Sequence, residues 1–162
     1  MKLHHYALYF IIALLSGSAV AESKSLNHLA LSILNTTQAG DINVRLVNSS
    51  NEPLRLWTET NIWGAYRWRV IVLREGKVKI FFEDPDGIVF TKNVPTWQEI
   101  KGDSFFDMKL QLSGEDWYRP NHEKPDLRAG DQLIVIYDVP PSPEAHKMSV
   151  WYGIVAASST IQ

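Results

Sequence analysis

AYRWRVIVLREGKVKIFFE, residues 65–83, is the stretch from which the fold of this chain can be predicted. Its apolar and polar residues alternate, which is typical of half-buried β-strands, and a Gly in the middle indicates a tight turn. The pattern therefore predicts a β-hairpin. One face of each strand is predicted to be apolar: Tyr66, Trp68, Val70 and Val72 on the first, and Val78, Ile80 and Phe82 on the second.

The register of this hairpin follows if both apolar faces lie on the same side of the sheet. Val72 is then opposite Ile80, and the turn must contain the three residues Glu75-Gly76-Lys77. A three-residue loop suits this sequence because its Gly can adopt the left-handed conformation that such loops require. The same register places Arg69 opposite Glu83, a stabilising pair of opposite charges.

Residues 1–21 have the form of a secretory signal peptide. Lys2 precedes an apolar run from Tyr6 to Leu15, and small residues lead to Ala21, after which cleavage is predicted. The alternative is a retained N-terminal anchor, although the apolar run is shorter than the roughly 20 residues that span a bilayer. We therefore expect a periplasmic or secreted protein with no membrane span after cleavage.

Length, cysteine content and charge limit the possible classes of protein. Removing 21 of the 162 residues leaves 141, enough for one domain with a full core. The chain contains no Cys, and an exported domain without disulfides favours a bacterial periplasm or medium. Loss of Lys2 changes the net charge from −2 to −3, which excludes a strongly basic nucleic-acid binder.

The rest of the chain is predicted to consist of short strands separated by turns. Residues 22–41 are interpreted as a leader with a possible first strand near Leu29, for which a short helix is the alternative because Leu and Ala favour helices. Residues 42–162 are predicted to form the main domain, with strands at 42–47, 54–57, 88–91, 106–112, 133–139 and 148–156. Residues 93–103 are interpreted as a loop or a helical turn. The prediction is an all-β fold, a single antiparallel β-sandwich of eight or nine strands.

Four segments resemble bacterial exported immunoglobulin-like domains: VRLVNSSNEPLRLW (44–57), FFDMKLQL followed by SGEDW (105–117), LRAGDQLIVIYDV (127–139) and VWYGIVAASS (150–159). In such domains an Asn-rich hairpin opens the domain and a Trp-containing strand closes it. The resemblance covers most of residues 42–158. It implies an immunoglobulin-like sandwich and export, but no catalytic residue, because a fold does not determine a function.

The sequence contains no recognisable catalytic or metal-binding motif. The only local cluster of potential ligands is His122-Glu123 with Asp126, in a polar stretch where a solvated loop is the simpler interpretation. A Gly-x-Ser-x-Gly elbow, a His-Glu-x-x-His helix and a phosphate-binding Gly loop are all missing from the sequence. We therefore expect a protein that is not an enzyme and that uses no cofactor or metal.

Tryptophan is the most informative residue type, since the chain has six: Trp57, Trp63, Trp68, Trp97, Trp117 and Trp151. Trp68 and one of Trp57 or Trp151 are predicted to lie in the core. Trp63, Trp97 and Trp117 lie in predicted loops, where a large ring either closes one end of the sandwich or contributes to a binding surface.

A binding site is predicted at the turn 113–120, which follows a strongly alternating strand. Its residue types include those enriched at interface hot spots. With two loop tryptophans, the candidate binding residues are Trp63, Trp97, Glu115, Asp116, Trp117, Tyr118 and Arg119. The alternative is that Trp117 folds back over the core while Arg119 pairs with a neighbouring acid.

Two functions are compatible with this sequence. The first is an exported, non-catalytic module that binds a protein partner through its loops or a free sheet edge. The second is a carbohydrate-binding module in which loop tryptophans stack on the sugar rings of a surface glycan.

Overall fold

A computed structural model of the chain describes residues 28–58, 63–83, 94–114, 117–118 and 125–162. The described residues form ten β-strands and one short α-helix. Within each sheet all neighbouring strands are antiparallel. The predicted all-β, antiparallel class is therefore confirmed.

In chain order the elements are β1 (Leu29–Thr36), β2 (Asp41–Asn48), β3 (Leu54–Trp57), β4 (Trp68–Arg74), β5 (Lys77–Glu83), β6 (Trp97–Ile100), β7 (Ser104–Gln111), β8 (Trp117–Tyr118), β9 (Gln132–Val139), α1 (Pro143–Met148) and β10 (Gly153–Thr160). They build a three-stranded sheet with the order β1-β2-β7, a five-stranded sheet with the order β10-β9-β4-β5-β8, and the two-stranded ribbon β3-β6.

One hydrophobic core receives side chains from all three sheets. In β2, for example, Ile42, Val44 and Leu46 are buried while the residues between them are only half-buried, which is the alternation of a strand with one face in the core. Val70 of β4 and Leu56 of β3 belong to the same core cluster. The possible first strand near Leu29 is also a strand, β1, which pairs with β2 along its length.

The predicted register of the central hairpin is wrong by one residue. The turn contains two residues, Glu75 and Gly76, both with positive φ (49° and 73°), as in a type I′ turn. Ile80 therefore pairs with Ile71, and Lys79, rather than Ile80, lies opposite Val72. The three-residue loop was predicted from a shared apolar face and because Glu-Gly is a poor sequence for a two-residue turn, yet Glu75 occupies the first central position of one.

This register reverses the two faces of β5. Phe81 is buried in the core, whereas Val78 and Ile80 are 42% and 37% exposed on the outer face. Arg69 pairs with Phe82, so the predicted pairing of Arg69 with Glu83 is also wrong.

Two short elements occupy segments where other structure was predicted. Strand β6 lies within the segment 93–103 that was interpreted as a loop or helical turn. Helix α1 precedes the last strand: the Ser142 hydroxyl accepts a hydrogen bond from the Ala145 N–H (3.0 Å), and Pro143 occupies the first turn. The last strand consequently begins at Gly153, not at Met148.

Some predictions fall on residues that the structure does not describe. The predicted signal peptide (1–21) and the predicted strand 88–91 both lie outside the described residues. Among the residues that are described, no helix has the length and apolar character needed to cross a membrane.

Candidate binding surface

The ribbon β3-β6 has one face in the core and one face toward solvent. Leu56 and Ile100 on the inner face are almost fully buried. Because directly paired residues in a ribbon share a face, the opposite side carries two pairs, Arg55 with Glu99 and Trp57 with Trp97. We term the surface that these four residues define the tryptophan ribbon; within it Trp57 is buried in the core, whereas Arg55, Trp97 and Glu99 reach solvent.

A buried amide fixes the position of the ribbon relative to the three-stranded sheet. Asn48, the last residue of β2, is fully buried. Its Nδ2 donates to the carbonyl oxygens of Glu52 (2.8 Å), Ile100 (3.1 Å) and Lys101 (3.1 Å). Its Oδ1 accepts from the N–H (3.0 Å) and the hydroxyl (2.7 Å) of Ser50. One side chain thus ties the start of β3 and the end of β6 to β2.

Three tryptophans meet at one end of the ribbon. Trp57 is almost fully buried, and its ring centroid lies 6.0 Å from that of Trp63, which is half-buried. Trp97, the residue paired with Trp57, is 37% exposed. Two of the predicted binding residues are therefore neighbours of Trp57, Trp63 through ring contact and Trp97 through strand pairing, and Trp97 is partly exposed to solvent.

The guanidinium of Arg55 is held over this aromatic surface by three contacts. Its Nε lies 3.2 Å from Glu99 Oε1, and its central carbon lies 5.1 Å from the centroid of the Trp97 ring. A terminal nitrogen donates to the Met148 carbonyl oxygen at 3.2 Å. A guanidinium stacked on an aromatic ring loses little further freedom when a ligand binds. The pair Arg55–Trp97 is therefore ordered in advance of binding.

A pair of threonines extends the ribbon beyond its tryptophans. The Thr58 N–H donates to the Thr96 carbonyl oxygen at 3.1 Å, and the two hydroxyl oxygens are 2.5 Å apart. Gly64 packs directly on this pair, since a Cβ at Gly64 would lie 2.0 Å from the Thr58 carbonyl oxygen. This close approach keeps the adjacent Trp63 against the ribbon.

A cavity of about 200 Å³ lies next to the ribbon and has Arg55 in its wall. Polar groups from His28, Ser50 and Ser149 also line this cavity. The tryptophan ribbon thus combines an exposed ring, a charged pair and a neighbouring concave region lined by both polar and apolar residues. Such a combination can recognise a large side chain or a sugar ring.

No known relative identifies this chain. Comparisons with protein-family models, with curated proteins and with solved structures find no match. The function of the chain therefore has to be argued from its own residues.

The described strand of the predicted site at 113–120 belongs to the five-stranded sheet and not to the ribbon β3-β6. Trp117 lies in β8, the edge strand of the five-stranded sheet, where it is only 7% exposed and belongs to the hydrophobic core. Tyr118 is the other residue of β8, while Glu115, Asp116 and Arg119 lie outside the described residues. The burial of Trp117 favours the alternative in which its ring closes the core.

The core tryptophans are more numerous than predicted. Trp57, Trp68 and Trp151 are all buried, although only Trp68 and one of the other two were expected in the core. Tyr137 connects two of them, with its ring 4.5 Å from that of Trp68 and 5.9 Å from that of Trp151.

The charged cluster that includes Asp126 is a network of ion pairs. Hydrogen bonds from Arg128 and Arg74 lower the pKa of the Asp126 carboxyl. His122 and Glu123, its predicted neighbours, lie outside the described residues. Within the part of the chain that is described, no three His, Asp or Glu side chains are grouped closely enough to hold a metal ion.

Proposed function

We propose that this protein is an exported, non-catalytic interaction module whose tryptophan ribbon binds a protein partner. The observation that carries this proposal is the ordered pair Arg55–Trp97, in which an exposed ring lies beneath a guanidinium that is also paired with Glu99. Tryptophan and arginine are the residue types most enriched at interface hot spots.

The order of the strands supports an immunoglobulin-like arrangement for this module. In immunoglobulin domains one sheet contains strands A, B and E, and the other contains strands G, F, C and C′. The orders β1-β2-β7 and β10-β9-β4-β5 can be matched to these strands one by one. The ribbon β3-β6 is an addition to that arrangement: in the chain, β3 follows the strand that would correspond to B, and β6 precedes the strand that would correspond to E.

Export is supported by the signal-like sequence of residues 1–21 and by the lack of Cys. The non-catalytic part of the proposal rests on the sequence, which offers no set of residues to which the roles of a reaction can be assigned. The proposed location is the bacterial periplasm or the external medium.

A surface glycan is the second candidate ligand, and one specific observation favours it. The exposed Trp97 ring lies on the same ribbon as the Thr58 and Thr96 hydroxyls and the Glu99 carboxylate. Sugar recognition uses this combination, since a ring stacks on the apolar face of a pyranose while oxygen atoms bond its hydroxyls.

The experiment compares two exposed aromatic residues that each lie beneath an arginine. Trp97→Ala removes the ribbon ring, and Phe105→Ala removes the ring beneath Arg45 on the outer face of the three-stranded sheet. Immobilised chain and both variants are incubated with exported proteins of the native organism, and retained proteins are quantified. We expect Trp97→Ala to weaken capture at least about 10-fold and Phe105→Ala to leave it unchanged.

A parallel measurement separates the two ligand classes. The tryptophan fluorescence of the wild-type chain is titrated with purified polysaccharides. A saturable change that is lost in Trp97→Ala would assign the ribbon to a glycan instead of a protein. Equal protein capture by the wild-type chain and both variants would refute the proposed role of the ribbon.

A further inference from the structure

Strand β5 lies next to one edge of the five-stranded sheet, and its outer neighbour β8 covers only part of its length. Strand β8 pairs with Phe82 and Glu83. Among the residues that the structure describes, no strand pairs with β5 from Lys77 to Phe81 on the side away from β4. We term residues 77–81 the β5 edge. Within the described residues this stretch is an open sheet edge, the kind of surface to which another strand can add.

The register of the hairpin determines which main-chain groups point to this edge. In a two-residue hairpin the residues on either side of the turn, here Arg74 and Lys77, bond to each other, and bonded and non-bonded pairs alternate from there. Val78 and Ile80 consequently belong to non-bonded pairs, so their N–H and C=O groups point away from β4. An extended peptide forms hydrogen bonds with groups arranged in this way.

The side chains of the β5 edge are exposed on both faces of the sheet. Lys77 and Lys79 are exposed on the inner face, the side of the buried Phe81. Val78 and Ile80 are 42% and 37% exposed on the outer face. Because directly opposite side chains on neighbouring strands share a face, an added strand would meet cations on one face and branched apolar groups on the other.

A small cavity lies on the cationic face of the β5 edge. Its volume is about 50 Å³, and its lining includes three nearly fully buried apolar residues, Val72, Phe81 and Leu127. Lys77 and Lys79 line the same cavity. The methylene groups of a Glu side chain can cover this apolar surface while its carboxylate approaches a lysine ammonium group.

The charges of the β5 edge favour an acidic strand over a second copy of this chain. Two copies paired edge to edge around a two-fold axis would bring their lysines together on one face, where like charges repel. The carboxylate of Asp126, which also lines the cavity, forms ion pairs with Arg74 and Arg128. Lys77 remains as an exposed cation that the carboxylate of a ligand can approach.

From these observations we infer that the β5 edge binds an extended acidic segment of a partner protein, which adds to the five-stranded sheet as an antiparallel strand. In this segment acidic residues alternate with branched apolar residues. The acids lie beside Lys77 and Lys79, and the apolar side chains cover Val78 and Ile80. The inference does not rest on the tryptophan ribbon, which belongs to a different sheet.

Fluorescence anisotropy of labelled peptides tests this inference on the full chain. The probe is an eight-residue blocked peptide in which Glu alternates with Val, and its basic counterpart has Lys in place of Glu. We expect saturable binding of the acidic peptide, at least about 10-fold tighter than that of the basic peptide. Lys77→Glu with Lys79→Glu should weaken binding of the acidic peptide at least about 10-fold. The matched control is Lys101→Glu with Lys147→Glu, which changes the net charge equally at two exposed lysines outside this sheet and should leave binding unchanged.

Methylation of the peptide nitrogens tests the strand pairing without altering the protein. In the antiparallel arrangement the Val residues of the probe lie opposite Val78 and Ile80 and turn their N–H groups toward β5. Methyl groups on the Val nitrogens should therefore weaken binding at least about 10-fold. The same number of methyl groups on the Glu nitrogens, which point away from β5, should leave binding unchanged.

Three results would overturn the inference. The first is that the acidic peptide does not bind saturably. The second is equal binding of the acidic and basic peptides, or of the two methylated peptides, because the contact would then lack the charge selection or the main-chain pairing that is inferred. The third is loss of peptide binding in Trp97→Ala, which would place the peptide on the tryptophan ribbon. Unchanged peptide binding by Trp97→Ala is expected, whatever that variant does to the partner of the ribbon.

Discussion

Replacing Asn48 by Asp tests whether the buried amide holds the ribbon in place. The substitution hardly changes the shape of the side chain, but it removes both N–H groups that serve the carbonyls of Glu52, Ile100 and Lys101. The two bonds from Ser50 to the other oxygen can persist. The change therefore isolates the donors of one side chain.

The expected destabilisation follows from the lost bonds. Two hydrogen bonds contribute about 2 to 3 kcal/mol together, and carbonyls left without a donor while facing a carboxylate add at least about 1 kcal/mol. We expect Asn48→Asp to lower the free energy of unfolding by about 3 to 4 kcal/mol at pH 7. That is a large part of the stability of a domain of this size.

The pH dependence distinguishes this mechanism from a general loss of packing. Burial and the neighbouring carbonyls raise the pKa of the introduced carboxyl above its unfolded value of about 3.9. The destabilisation is thus complete above the raised pKa. It diminishes as the pH falls through that pKa, because the protonated carboxyl regains one donor.

Urea unfolding of wild type and variant at several pH values measures both effects. Asn43→Asp is the control, since Asn43 lies on the outer face of the same strand and its amide donates to another exposed side chain, Asn35. It should change stability by less than about 0.5 kcal/mol. A loss below about 1 kcal/mol in Asn48→Asp, or one that does not vary with pH, would refute the reasoning.

Three further predictions concern stability. Hydrogen bonds from Arg74 lower the pKa of the buried Asp131, so this pair stabilises the fold above about pH 4 and loses its contribution as the pH falls through the native pKa. Asp131→Asn should therefore lower the free energy of unfolding by about 2 kcal/mol at pH 7, as measured by urea unfolding. The difference from wild type should diminish in acid. Trp117→Ala should lower the free energy of unfolding by about 3 to 5 kcal/mol because the Trp117 ring is buried. Trp97→Ala should lower it by less than about 1 kcal/mol because Trp97 is exposed. Similar losses of stability for the two variants in thermal melts would contradict the assigned burial. Glu75→Asn should stabilise the hairpin by about 0.5 kcal/mol because Asn adopts φ near 49° more readily than Glu, and a lower melting temperature would argue against the type I′ turn.

The sequence predicts the long strands well and the short elements poorly. Strands β2, β7 and β9 each have eight residues in which apolar and polar types clearly alternate, so their burial pattern can be predicted from that alternation alone. Strand β6 has four residues, WQEI, between Pro95 and Gly102, and this is too short for a periodicity to appear. Helix α1 has six residues, and only the sequence Ser142-Pro143 indicated its start.

The candidate site was difficult to predict because it depends on the pairing of two short strands. Arg55 and Trp57 lie in a strand that was predicted correctly, but Trp57 is buried next to the buried Leu56, so the burial pattern of this strand does not reveal the side that carries them. Their partners Glu99 and Trp97 belong to the missed strand, and only the pairing places a guanidinium over an exposed ring. Local patterns contain no information about such long-range partners.

The central hairpin shows how the length of one turn determines which side chains of a strand are exposed. The predicted register, with a three-residue turn, places Val78, Ile80 and Phe82 on the core side and leaves Phe81 on the outer face. The actual two-residue turn directs Phe81 into the core and leaves Val78 and Ile80 exposed on the outer face, while Lys79, opposite Val72, is exposed as well. A turn of two residues rather than three therefore decides which apolar side chains of β5 are buried, since a shift of one residue exchanges the two faces of a strand.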